Sequence, residues 1–214
     1  MALPCTGTDF HDLVTNGLTA RVKAAIKQDS RLAGLKDELG RSPLQLAAEA
    51  GHLDLVNILI NAGADLDHCD RLKGYTALHY AAMHNFPKIL SFLLSRGADL
   101  HLQDNDGNFP LHLCVANGCF ETVEILVNHS ADVNCMNRAW QTPLHLAAFA
   151  GKNRQDFPYA RNDRNAFLKI AAILVSNGAY PSLRDNADDL PATIAARHHP
   201  GSAFLRKFLE ILHK

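Results

Sequence analysis

Twelve histidines and five cysteines are the side chains of this 214-residue chain with the clearest capacity for chemistry. Histidine and thiolate can hold a metal, and either can serve nucleophilic catalysis, but only at defined spacings. No HExxH run and no CxxC pair occurs. His198 and His199 are neighbours followed by Pro200, yet two adjacent histidines do not close a metal site. No GxSxG elbow, Walker loop or GxGxxG turn is present. The cysteines, Cys5, Cys69, Cys114, Cys119 and Cys135, are odd in number and give no disulfide framework. The expectation is a protein without catalytic centre, metal or cofactor.

Composition narrows the class further. The chain is 47% apolar and 20% charged, which suits a folded protein. Its formal net charge of −1 lacks the cationic field that nucleic acid or an anionic membrane would require. No apolar run reaches the ~18 residues of a membrane span. The start, Met1-Ala2-Leu3-Pro4-Cys5-Thr6, has neither a basic nor an apolar signal region. A cytoplasmic location, with the nucleus as alternative, is therefore expected.

What must position the remaining histidines is a repeat. Ser42-Pro43-Leu44-Gln45-Leu46-Ala47 recurs as Thr76-Ala77-Leu78-His79-Tyr80-Ala81 and as Phe109-Pro110-Leu111-His112-Leu113-Cys114. It returns as Thr142-Pro143-Leu144-His145-Leu146-Ala147 and, decayed, as Leu190-Pro191-Ala192-Thr193-Ile194-Ala195. The spacings are 34, 33, 33 and 48 residues. A second phrase keeps step: Gly63-Ala64-Asp65-Leu66, Gly97-Ala98-Asp99-Leu100, Ser130-Ala131-Asp132-Val133 and Gly178-Ala179-Tyr180-Pro181. Thr142 can cap a helix, and Pro143 suits its first turn, where its missing N–H costs nothing. Leu53, Val56, Leu59 and Ile60 then mark a second, amphipathic helix, which Gly63 can terminate.

On these phrases the chain resembles the ankyrin-repeat family from about Asp9 to its end. The resemblance implies an all-α repeat solenoid of helix-turn-helix units joined by β-hairpin-like loops. The units would be a leader 1–8, an N-terminal cap 9–39, repeats 40–73, 74–106, 107–139 and 140–187, and a C-terminal cap 188–214. It also implies a non-catalytic module that binds a protein partner on a concave surface, as adaptor, inhibitor or scaffold, and that is a monomer outside its complex. Narrower alternatives are an effector, or a transcription-factor inhibitor resembling the inhibitors of NF-κB. A targeting subunit of an enzyme complex is the alternative of another class.

Structural residues repeat, so departures from the repeat locate candidate binding residues. Trp140 stands where Gly40, Gly74 and Gly107 stand in other copies, and it is the only tryptophan. It either anchors a partner or folds back as filler; tryptophan, methionine and arginine dominate interface energies. Met136, Arg138 and Phe149 align near it, and Tyr75, Met83 and His84 form a second cluster. Arg71, Asn108 and Arg184 complete the candidate set on the hairpin tips and inner helices. Phe109 replaces the capping residue and is expected to be buried, as is Cys114 at a small-residue position. Lys73 is one extra residue, expected to form a bulge. A 15-residue insertion at about 152–165 is either a second binding site or a tolerated loop. The family resemblance further makes Asn134, in Asp132-Val133-Asn134, a candidate for asparaginyl hydroxylation, unless it only braces its hairpin.

Overall fold

The computed structural model describes residues 7–149 and 164–213. The leader, Cys5 and residues 152–163 of the expected insertion lie outside them. Among the described residues the chain is all-helical, with no strand. It divides into two compact units, residues 1–81 with 88–105, and residues 82–87 with 106–214.

In the first unit, α1 (Gly7–Thr15) and α2 (Thr19–Gln28) precede a short 3-10 turn, Ser30–Gly34. Two more helix pairs follow, α3 (Pro43–Glu49) with α4 (Leu53–Asn61) and α5 (Ala77–Met83) with α6 (Pro87–Ser95), the last two residues of α5 and the first of α6 being counted with the second unit. Helix α3 starts on a reciprocal cap. The Ser42 hydroxyl accepts from the Gln45 N–H, and the Gln45 side chain accepts from the Ser42 N–H at 2.6 Å. The apolar stripes meet inside, where Phe10, Val14, Val22, Leu44, Leu55 and Leu59 are almost fully covered. Burying each such side chain is worth about 1.5–3 kcal/mol.

In the second unit, α7 (Pro110–Ala116) pairs with α8 (Phe120–Asn128), and α9 (Pro143–Phe149) with α10 (Arg164–Ser176). Helices α11 (Pro191–His198) and α12 (Ala203–Leu212) end the unit. The short helices α7, α9 and α11 pack side by side, as do the outer helices α8, α10 and α12. A helix pair has too little apolar surface to form a core alone, so each relies on its neighbour. Leu111, Leu126, Leu144, Phe167, Ile170, Leu174 and Phe208 fill the layer between them.

The loops before α3, α5, α9 and α11 are built alike. Each turns on a carboxylate or amide that accepts two backbone N–H groups ahead of it. Asp37 takes Leu39 and Arg41, and Asn137 takes Ala139 and Gln141. Asp185 takes Ala187 and Asp189. Asp70 takes Lys73 and Tyr75, so it spans the extra Lys73 residue, and it also accepts the Tyr80 hydroxyl at 3.1 Å. Consecutive hairpins are tied by one backbone bond each. The Arg71 N–H donates to Leu39 and the Asn105 N–H to Lys73 in the first unit; Arg138 donates to Asp106 and Asn186 to Ala139 in the second.

Candidate functional site

The hairpin before α9 carries three of the residues expected to bind. Met136 and Trp140 are exposed, Trp140 by 61%, and Arg138 is exposed between them. The backbone explains why Trp140 is unusual. Gly40, Gly74 and Gly107 all have positive φ, at 77°, 73° and 79°, and Trp140 adopts the same region at 59°. Glycine enters it freely, whereas an L side chain is strained there by about 1–2 kcal/mol. The site is also crowded. A Cβ added at Gly40 would meet the Arg71 Cγ at 2.6 Å, and one at Gly107 would meet the Arg138 backbone nitrogen at 2.7 Å. Trp140 therefore carries a cost that its exposed ring does not recover by filling space.

The other candidates are placed differently. Phe149 is half-buried at the far end of α9, about 9 Å of helix away from the hairpin. Its ring lies 5.0 Å from that of His198, and its carbonyl accepts from the His199 Nε2. Asn108 is buried and accepts from the Asn137 side chain, which supports the Trp140 hairpin from beneath. Arg184 is exposed but is bound to Asp188 through both its carbonyl and its carboxylate. Arg71 is exposed, with its stem over Gly40. Tyr75 is half-buried, stacked on His79 at 5.7 Å and edge-on to Tyr80 at 5.4 Å. Met83 is buried and offers a partner little area. His84 is half-buried and stacks on Phe86, and burial pulls its pKa down. The Asn134 side chain donates to the Gly178 carbonyl and accepts from the Tyr180 N–H, bracing its hairpin with both ends. Phe109 is half-buried rather than enclosed, with its ring 5.8 Å from that of His112.

The repeated histidines are structural. The His145 Nδ1 accepts from the Thr142 N–H and hydroxyl, so its Nε2 carries the proton and donates to the Asp189 carbonyl. His112 does the same between the Phe109 N–H and the Gln141 carbonyl. Burial holds its pKa down to about 4, against a weaker upward pull from the Gln141 hydrogen bond. Gln45 fills this role in α3, donating to the carbonyls of His68 and Tyr75. Cys135 lies 3.7 Å from the His112 Nδ1, a pairing that could suggest a nucleophile. Burial and Asp132 raise that thiol to about 12, so it stays protonated and unreactive. Among the described residues no group of three histidines, cysteines or carboxylates could hold a metal. No helix among them is long and apolar enough to cross a membrane.

The family model described as ankyrin repeats (3 copies) matches residues 10–104 and 96–185. The chain belongs to the ankyrin-repeat family. A solved ankyrin repeat domain from Acinetobacter baumannii AYE superposes with a TM-score of 0.80 at 26% identity, covering 95% of each chain. The mouse B-cell lymphoma 3 protein homolog is 28% identical over 86% of this chain and 46% of its own length. The human BCL-6 corepressor-like protein 1 is 33% identical over 58% of this chain and 7% of its own. Chicken inversin is 31% identical over 63% of this chain and 12% of its own. The chain thus spans less than half the length of these curated relatives. Ankyrin repeats generally mediate protein–protein interaction, and their fold is a non-catalytic interaction module.

One cavity had no counterpart among the residues singled out by sequence. About 600 Å³ opens in the first unit between α1, the loop before α3, and Leu46. Its lining residues His11, Asp12, Lys36 and Glu38 follow no repeat phrase, so no departure from a pattern could reveal them.

Proposed function

We propose that this ankyrin-repeat chain binds a protein partner through the hairpin before α9, with Trp140 as anchor and Met136 and Arg138 beside it. The observation that carries the reading is the strained, exposed tryptophan at a glycine position. A residue that costs stability and fills no internal space is best understood by what it contacts outside. Met136 adds a polarizable apolar surface and Arg138 a cation without an ion pair among the described residues, a combination frequent at the centre of interfaces. Phe149 with His198 is a further contact surface of the second unit in this reading, and the Tyr75 ring is one of the first unit taken by itself. Arg184 is a rim contact of the second-unit surface, Met83, His84 and Asn108 support it rather than form it, and Arg71 is an exposed cation of the first unit.

The role is that of an adaptor, scaffold or inhibitor. A transcription-factor inhibitor is the second reading, favoured by the similarity to the B-cell lymphoma 3 protein homolog and the BCL-6 corepressor-like protein. Affinity capture from native lysate should be run with the wild-type chain and with a Trp140→Ala/Arg138→Ala variant of unchanged circular dichroism. A protein retained by the first and lost by the second supports the anchor. Equal retention of every captured protein by both chains overturns it.

A further inference from the structure

The cavity in the first unit combines an acidic rim, apolar walls and a polar group that the fold leaves unused. Asp12 and Glu38 are exposed at its rim, and no cation among the described residues forms an ion pair with either. Arg41 is the strongest cation facing it, but it is bound by both Asp37 at 2.8 Å and Glu49 at 3.0 Å. That group of three already carries an excess negative charge. Lys36 is the remaining base, and it feels Asp65 as well. Counting Asp12, Asp37, Glu38 and Glu49 against Lys36 and Arg41 leaves two unbalanced negative charges.

Beneath the rim, Leu46 is buried and Leu39 is 41% exposed. Together they form walls against which an aliphatic stem can lie. His11 also lines the cavity, is only 8% exposed, and its Nε2 has no hydrogen-bond partner among the described residues. A buried polar atom without a partner is costly, and such atoms are rare in finished folds. The volume lies within the range of pockets that enclose ligand-sized groups.

We propose that this cavity receives a basic side chain, an arginine, from an extended segment of a protein partner. The guanidinium would lie between the Asp12 and Glu38 carboxylates, with its stem against Leu39 and Leu46 and its head toward His11. Arginine is favoured over lysine because its planar fork can serve two carboxylates and it is the more weakly hydrated cation. The proposal rests on the protein-binding reading, but it uses no residue of the Trp140 hairpin. The two can therefore fail separately.

The test is a titration of the full ¹⁵N-labelled chain, followed by amide and imidazole NMR signals. The probe is the blocked peptide acetyl-Leu-Arg-Leu-amide, with the Lys and Glu versions in parallel. The expected result is a saturable shift of the signals of His11, Asp12, Glu38 and Leu39 with the Arg peptide. Affinity should be weaker with Lys and absent with Glu. An Asp12→Asn/Glu38→Gln variant should lose about tenfold in affinity, and high salt should do the same to the wild type. Both residues are exposed, so the variant should keep its fold. Trp140→Ala should leave this titration unchanged. Absence of shifts at these four residues, equal shifts with the Glu peptide, or undiminished affinity in the double variant would each overturn the proposal.

Discussion

The strain at Trp140 can be measured without knowing any partner. Trp140→Ala removes the ring but keeps a side chain at a φ of 59°. Trp140→Gly removes both the ring and the strain. The ring's contacts are lost in both variants, so their difference isolates the backbone. Relief of the left-handed conformation should favour glycine by about 1–2 kcal/mol. The freer unfolded chain of a glycine variant opposes this by about 0.4–1 kcal/mol. The glycine variant should therefore be the more stable by about 0.5–1 kcal/mol. In thermal unfolding that is a difference of about 1–4 °C for a chain of this size. Gly107→Ala is the reverse experiment at the equivalent turn. There the φ is 79°, and the new Cβ would lie 2.7 Å from the Arg138 backbone nitrogen and 2.9 Å from its Cγ. It should cost about 2 kcal/mol or more. If Trp140→Ala instead proves the more stable of the two by about 0.4–1 kcal/mol, which is the unfolded-chain effect alone, the hairpin is not strained and the argument for an external role loses its basis.

Acid should weaken the fold through His112. Its pKa is about 4 when folded against 6.5 unfolded, so only the unfolded chain binds the proton between these values. The stability present above pH 6.5 falls as pH drops through that window, by about 3 kcal/mol in full, and urea midpoints of a His112→Gln variant should show a flatter dependence. Asp70→Ala removes the acceptor of the Lys73 and Tyr75 N–H groups and of the Tyr80 hydroxyl; chemical denaturation should show a loss of about 2–4 kcal/mol. In a Cys5→Ser background, an aromatic disulfide reagent should label exposed Cys69 promptly; buried Cys114 and Cys119 should react only on unfolding, and prompt labelling of either would contradict their placement.

The helices were legible because their signals are local and recur. A proline after Ser42, Phe109 or Thr142 and a glycine after each second helix mark the ends wherever the copies agree. The turn architecture was legible only in part. Asp37, Asp70, Asn137 and Asp185 hold their hairpins in the same way, but their spacing is blurred by Lys73 and by the exchange of Asp for Asn. The prominence of Trp140 came from alignment with three glycines; its exposure did not, because φ constrains the backbone and not the direction of the ring. Proximity in the alignment was a poorer guide for Phe149, since a whole helix separates it from Trp140. The cavity beside His11 could not be read at all. It arises where the α1 helix meets a loop distant in sequence, and no residue there departs from a repeated phrase.

Not every departure from the repeat has the same meaning, and the hydrogen bonds separate two kinds. Gln45 in place of histidine still joins its own N-cap to the next loop, reaching two of its carbonyls. Lys73 lengthens a turn, and Asp70 closes over it while gaining Tyr80 as a donor. Phe109 discards a cap oxygen, yet His112 still accepts from its backbone N–H. In each case the surrounding structure compensates, and nothing outside the fold is needed to account for the residue. Trp140 is different: its N–H still closes the turn on Asn137, but the positive φ remains and the ring stays exposed. The rule that follows for such stacks is to rank departures by what remains uncompensated once the fold has been accounted for. By that measure the Trp140 hairpin stands out in the second unit, and the His11 nitrogen, unpartnered among the described residues, stands out in the first.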